Sequence, residues 1–421
     1  MRQTSCDLIQ QVITQSGLWN EGRISTHNFI LTSEVYKLSE EERRQLTAIG
    51  ENLYRVMSGL NTLVAFSEDP KAAKGRVWDM IRRVVRIGVP RYHRRIQAIN
   101  AEDYPILFKV DMVRSQGGFW IVELDGTNTH GFGYTVLLNQ IRDLMAEGTG
   151  WRLGGVAQTI SAEMHAKYPG AKLFCFLSGN SRFYEPYYQI LLRELQRLGI
   201  EGTIRGEWES HERHTLPEGN IVALQFPIFR GTSPLQDAFA GKYEHGELKF
   251  LIPPKIFFGS KSVFGLIKNS AMDKELENVL RRFIDETALK ILRLYIPETY
   301  LVYPEWGEIP PPKLEGKSWI IKRAISSGMK GIEFIEGAEP PVARLQKEAP
   351  YQVSLQEVRD SDLFMFRYFD ESGSLKEDLW FARFTAHFNF GKLADLDITA
   401  RYDKKVHGAK DCLMFSAVLE K

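Results

Sequence analysis

Apolar residues recur at helical spacing through LTAIGENLYRVMSGLNTLVAF, residues 46–66, and at every second position through YPILFKVDMVRSQ, residues 104–116. The period changes near Pro105. Before it, Ser39 and Glu42 form an S-x-x-E capping box ahead of the first long amphipathic stretch, and GRVWDMIRRVVRIGV supplies a second, basic helix. Its Arg82, Arg83 and Arg86 read either as a phosphate-binding face or as a solvated helix face.

Beyond Pro105 the alternation predicts two strands joined at Gly117-Gly118, followed by a helix over GYTVLLNQIRDLMAEG. After a glycine-rich break near residue 150, AKLFCFLSG reads as a strand and YEPYYQILLRELQRLG as a helix. IEGTIRGE and NIVALQFPIF then read as short strands, the order of a small open α/β unit. Pro253-Pro254 opens a last section with helices at SVFGLIKNS and across DKELENVLRRFIDETALKILRLY, and a proline-rich connection through Pro297 and Pro310 to Pro312. Strands at KSWIIKRA, KGIEFIE, YQVSLQEV, LFMFRYFD and LWFARFTAHF follow. The expected division is a helical region over 1–105, a hairpin and helix over 106–150, an α/β unit over 151–250 and an α+β section over 251–421.

Length and composition narrow the class. A chain of 421 residues is too long for one ordinary core, and 43% hydrophobic with 25% charged residues is the balance of a globular protein. A formal net charge of +1 gives no global field for nucleic acid or an anionic membrane. Neither is expected as a partner. Three cysteines, Cys6, Cys175 and Cys412, are widely separated, which argues against a disulfide framework or structural zinc and for a reducing, cytoplasmic setting. The N-terminal stretch lacks the apolar run of a signal peptide, and no segment approaches the roughly 18 apolar residues of a membrane span. His211 and His214 lie in a polar loop poor in partner ligands, and no G-x-S-x-G elbow supports serine hydrolase chemistry.

Three motifs carry chemistry. Glu123 and Asp125 are two apart on a strand and leave the same face, and the Gly117-Gly118 turn brings Asp111 alongside on the neighbouring strand. Three carboxylates on one face repel unless a cation neutralises them, and hard oxygen ligands suit magnesium; the alternative is the exposed face of a polar hairpin. Lys322 ends a hydrophobic strand before the SSGMKG loop with Gly328 and Gly331, an arrangement that can wrap polyphosphate or be a plain glycine hairpin beside a lysine. Neither a Walker A loop nor a dinucleotide fingerprint is present. Gln356-Glu357-Val358 reads as a hinge for an adenine edge or as a plain edge strand.

Taken together, these pieces resemble the ATP-grasp superfamily in its circularly permuted branch, the glutathionylspermidine synthase-like amide ligases. The resemblance covers roughly 105–421 and rests on the order of weak motifs. It implies an α+β fold, ATP-grasp and circularly permuted, with a small α/β pre-ATP-grasp-like domain and a helical N-terminal region. In that branch the hairpin carries Asp, then Glu, then Asn two residues later; here Asp111 and Glu123 keep the order, Asp125 stands where Asn is usual, and Gly131 and Tyr134 retain the trailing G-x-x-Y. Lys109 stands where the family often has Arg, and keeps the charge without the bidentate fork.

The resemblance implies Asp111, Glu123 and Asp125 as magnesium ligands and Lys261 and Lys322 as phosphate lysines. Gly328 and Gly331 would form the covering loop, with Gln356, Glu357 and Val358 as the adenine hinge. Arg367 and Arg383 would line the γ-phosphate and acyl-phosphate region, with Lys109 as a further catalytic cation. The implied activity is ATP- and magnesium-dependent ligation of a small-molecule or peptide carboxylate to an amine through an acyl phosphate, in a monomer or an oligomer. A non-catalytic nucleotide- or partner-binding homologue and a kinase-like phosphotransferase are the alternatives. Residues 1–105 and 205–250, with Arg205, His211, Arg213 and Arg230, are candidates for substrate contacts.

Overall fold

The computed structural model of the protein describes residues 5–17, 29–89, 91–97, 99–100, 102–127, 129–145, 152–208, 216, 218–225, 234–302, 317–325, 331–335, 345, 353–370, 372–406 and 411–420. The predicted hairpin exists as β2 (Leu107–Ser115) and β3 (Gly118–Asp125), and it belongs to a seven-stranded sheet. Its order is β1-β15-β14-β13-β2-β3, with β12 (Leu363–Phe369) also on β13 (Leu375–Asn389). The remaining members are β1 (Tyr36–Leu38), β14 (Lys392–Arg401) and β15 (Leu413–Leu419). β1 pairs with β15 in parallel, so the mainly helical first hundred residues also contribute a strand that periodicity alone did not mark.

One face of this sheet is apolar. Val110, Met112, Phe384, Ala386, Leu396 and Ile398 are all fully buried there, against α2 (Glu40–Ser67) and its neighbours. Ser39 caps α2 with both bonds of the capping box. Beside α2 pack α3 (Arg76–Arg86) and a short α4 (Arg91–Gln97). Arg82 donates to the carbonyls of Ser67 and Ala73, and Arg86 forks onto Glu68, so both tie the end of α2 to α3. That use removes Arg82 and Arg86 as a phosphate-binding face.

On the opposite face lies α5 (Phe132–Met145), which docks on β14 and β15 and against α1 (Ser5–Ser16), α6 (Val156–Lys167) and α7 (Glu185–Arg197). These helices cover a parallel sheet of order β5-β4-β6-β7. Its strands are β4 (Lys172–Leu177), β5 (Gly202–Gly206), β6 (Ile221–Gln225) and β7 (Lys249–Ile252), with α8 (Pro234–Glu244) on its other side. The α/β alternation read from the sequence is therefore real.

A third sheet, β10-β9-β11-β8, is antiparallel and has its own small core around Trp319, Ile321 and Leu355. It is built from β8 (Thr299–Leu301), β9 (Trp319–Arg323), β10 (Ile332–Ile335) and β11 (Val353–Glu357). α9 (Ser262–Asn269) packs against it. The long helix expected over 273–295 is two: α10 (Lys274–Arg281) and α11 (Glu286–Tyr295). Asp285 breaks it by accepting from Ala288 N at 2.7 Å as a new N-cap, a bond worth about 1 kcal/mol. The whole is a mixed α/β fold.

Candidate active site

The acidic hairpin is built on a slip in its own pattern. Phe119 and Ile121 are buried in the apolar core, whereas Glu123 and Asp125, of the same parity, are not on that face. Strict alternation cannot satisfy both. A β-bulge resolves the conflict: Asp111 pairs with Glu123 and Met112 with Ile121, leaving Val122 as the extra residue. The carbonyl of Val122 is taken by Lys322, whose Nζ donates at 2.7 Å from β9.

Register then fixes the site. Lys109 faces Asp125, and Asp111 faces Glu123 across β2 and β3. On the other side of β2, His387 faces Lys109 and Thr385 faces Asp111, and β14 adds Asp397 opposite Thr385 and Thr399 opposite Arg383. Partners in register share a face. The polar face of the sheet is therefore continuous from Glu123 to Thr399.

Each carboxylate of the hairpin is engaged by its own cation. Lys261, at the start of α9, donates from Nζ to Glu123 Oε1 at 2.9 Å. Arg383 Nη1 lies 3.4 Å from Asp111 Oδ2, and Thr385 Oγ1 donates to Asp111 Oδ1 at 2.7 Å. Lys109 Nζ is 3.5 Å from Asp125 Oδ2. Among the described residues no three His, Cys, Asp or Glu side chains converge as a ready-made metal cage. The expected acidic triad thus shares one face but arrives as three ion pairs, because β2, β13 and the start of α9 each set a cation beside one acid.

Burial and charge tune these groups. Burial raises the Asp125 carboxyl, and the fields of Glu123 and Asp111 add to that against the opposing Lys109. Asp111 is also pushed up by burial, but Arg383, Lys109 and the Thr385 hydroxyl outweigh it and leave it below the usual carboxylate range. Lys109 stays charged, since Asp125 and Asp111 more than offset its burial. Burial brings Lys322 down to about 8, with Glu123 resisting and Lys261 assisting.

Beside the acids, a cavity of about 150 Å³ opens between the sheet and the helices of the α/β unit. Its floor is Lys109, Arg383, Thr385, His387, Asp397 and Thr399. Its wall is Gly131, Tyr134, Tyr184, Tyr187 and His130, so the G-x-x-Y of the sequence reading lines it. His130 stacks on Tyr184 with ring centroids 3.9 Å apart and its Nδ1 lies 3.0 Å from Tyr188 Oη. Burial, with Lys109 assisting, lowers His130 to about 3 and keeps it neutral.

The structure does not bring every expected residue here. Arg367 sits opposite Glu377 on the β12–β13 pair, six residues along β13 from Arg383, or roughly 20 Å at strand rise. Its side chain is 52% exposed and paired with Glu34 at 2.7 Å. It does not line the cavity. Gln356 is buried, donating to Thr299 Oγ1 at 3.1 Å, and β11 is an inner strand of its sheet, not an edge. Glu357 N donates to Glu298 O and Val358 N to Ser318 O, so neither N–H is open to an adenine edge. Gly331 has φ +80 and its carbonyl accepts from Arg323 N at 3.0 Å, while Gly328 lies outside the described residues, as do His211, Arg213, His214 and Arg230. Arg205 donates to the carbonyl of Ile204 and lines no part of the cavity.

Thr385, His387, Asp397 and Thr399 are site residues the sequence reading missed. Their signal is present: ARFTAHF and LADLDITA set a polar side chain at every second position of otherwise apolar strands.

The chain shares its overall fold with the apo form of a glutathione synthetase-like effector from Globodera pallida. That alignment has 11% identity and a TM-score of 0.56, and spans 99% of this chain and 96% of that one. A looser likeness, with 13% identity and a TM-score of 0.39 over 74% of this chain and 80% of the other, is to a candidate gamma-glutamylcysteine synthetase from Methylobacillus flagellatus. No protein-family model and no curated protein sequence matches. The class defined by the first comparison is a glutathione synthetase-like fold.

Proposed function

We propose that the protein is an ATP- and magnesium-dependent carboxylate–amine ligase that works through an acyl phosphate. The observation that carries this reading is the meeting of Asp111 and Glu123 on paired strands with Lys261 from α9 and Lys322 from β9. Fold likeness to a glutathione synthetase-like protein supports it.

The donor set fits magnesium. That ion is held by one or two carboxylates plus substrate phosphates, seldom by an all-protein cage, and Asp111 and Glu123 are such a pair, with Asp125 next to Glu123 on the same face. When bound, it would supply Lewis-acid polarisation of a phosphoryl oxygen. Lys261 and Lys322 would offset the charge of the transferring phosphoryl group. Arg383 and Lys109, both on the cavity floor, would stabilise the oxyanion formed when an amine adds to the acyl carbon. The half-buried setting of these groups would limit the access of water to the acyl phosphate.

A nucleotide-binding protein without turnover is the second reading, favoured by the ion pairs that already engage all three acids. The experiment that separates them incubates the protein with ATP, magnesium and hydroxylamine against a panel of amino acids and short peptides that includes γ-glutamylcysteine. Release of ADP with formation of a hydroxamate, both lost in a folded Glu123→Gln variant, is the expected result. ATP binding with no ADP from any carboxylate would favour the second reading. A stable phosphorylated product would indicate transfer to a hydroxyl instead.

A further inference from the structure

The cavity floor holds a second constellation that the phosphate chemistry leaves unused. His387 Nε2 lies 2.8 Å from Asp397 Oδ2, and Thr135 Oγ1, from α5, donates to the same Oδ2 at 2.6 Å. Thr135 Oγ1 is also 3.1 Å from His387 Nε2. A carboxylate only accepts, so the short contact to Asp397 places the imidazole proton on Nε2. In the neutral ring, Nδ1 then carries the lone pair. His387 is 2% exposed, and its Nδ1 has no hydrogen-bond partner among the described residues; neither has Asp397 Oδ1. A buried basic nitrogen and a buried carboxylate oxygen left unpaired in residues that line one cavity are costly unless a ligand meets them.

The surroundings set which ligand. Lys109 on β2 faces His387 in register, Arg383 lies four residues away on β13, and Asp395 and Asp397 flank it on β14. From α5 come Thr135 and the Phe132 ring. Tyr134, Tyr184 and Tyr187 wall the cavity, and Asp397 on its floor, with Oδ1 unpaired among the described residues, is the carboxylate that an ammonium would meet.

We infer that this cavity takes the amine substrate of the ligase, and that His387 is the general base that strips a proton from its nitrogen. The inference rests on the ligase reading above. Asp397 and Thr135 are positioning residues that hold the tautomer, the logic by which a carboxylate orients a catalytic histidine elsewhere. An amine reaches the cavity as an ammonium and must lose a proton before it can attack. In the step, the nitrogen lone pair forms the C–N bond to the acyl carbon and the C–O bond to phosphate breaks, its electron pair leaving with phosphate. The nitrogen gives up two protons: the first, from the ammonium, passes to His387 Nδ1 and on to solvent before attack, and the second leaves the tetrahedral adduct for the departing phosphate.

Two measurements test this. Long-range proton–nitrogen spectra of the protein labelled in its imidazole nitrogens, assigned by comparison with His387→Gln, should show His387 protonated on Nε2. A proton resident on Nδ1 would overturn the inference. The second is kinetic and uses hydroxylamine, whose free base predominates near neutrality, beside the amine that turns over best in the panel. His387→Gln keeps a donor toward Asp397 but has no base. It should cut amide formation about 10²- to 10⁴-fold while hydroxamate forms near the wild-type rate. Equal losses with both nucleophiles would overturn the role of His387 and leave the ligase reading standing. No hydroxamate from the wild-type protein would sink the ligase reading and this inference together. Should His387→Gln fail to fold, Asp397→Asn, which releases the tautomer, carries the same pair of outcomes.

Discussion

Lys322 Nζ reaches across from β9 to the carbonyl of Val122, the one residue that the bulge in β3 leaves without a strand partner. Burial holds this lysine at about 8, below the ordinary lysine range. Between about pH 8 and the ordinary lysine value of 10.5 the unfolded chain therefore binds more protons than the folded one, so this group makes stability rise with pH through that window. A bound triphosphate favours the charged form. ATP affinity is expected to fall as pH rises above about 8, approaching about tenfold per pH unit for one linked proton. Calorimetric titration across that range checks it, and a profile that keeps its inflection in Lys322→Arg would refute the assignment.

The two arginines of the β12–β13 region part company. Arg383, on the cavity floor beside Asp111, is expected to lower kcat about 10²- to 10³-fold when changed to Gln, with ATP binding retained. Arg367→Ala should leave turnover unchanged. Its exposed pair with Glu34 contributes about 1 kcal/mol at most, which a denaturant titration can read.

Gly133 is where α5 meets α7. A Cβ there would stand 1.7 Å from the carbonyl oxygen of Tyr187, so Gly133→Ala must push the two helices apart. A loss of about 3 kcal/mol is expected, together with failure of the cavity wall at Tyr134 and Tyr187. Chemical unfolding measures the first and ligand binding the second.

Asp285→Ala removes the cap of α11 and should cost about 1 kcal/mol. An unchanged midpoint would mean that packing of Leu289 and Leu292 alone decides where the helix starts.

Much of this was legible in the string. The hairpin, the capping box at Ser39 and the α/β alternation follow from periodicity, because each is a local rule read over a few residues. The proximity of Lys261 to Glu123 was reached only through resemblance, since 138 positions separate them and no local pattern links the two. The surroundings of Arg367 and of residues 356–358 were not legible for the same reason: their strand neighbours, Glu377 and the β8 and β9 strands, are set by sheet order. The dyad of His387 and Asp397 was visible as polar alternation but invisible as a pair, because strand register decides which alternating residues meet. The bulge at Val122 could have been seen, as apolar residues at 119, 121 and 124 break a period of two.

The hydrogen bond from Thr385 to Asp111 spans 274 positions, and the strand carrying Thr385 is held on its far side by residues of the final stretch. During synthesis the acidic hairpin emerges long before any of its floor exists. A ribosome-bound chain would display Asp111, Glu123 and Asp125 without Arg383 or Thr385 to answer them. Assembly of the cleft is thus a late, whole-chain event, and fragments that stop short of β13 should be inert however well their helices form.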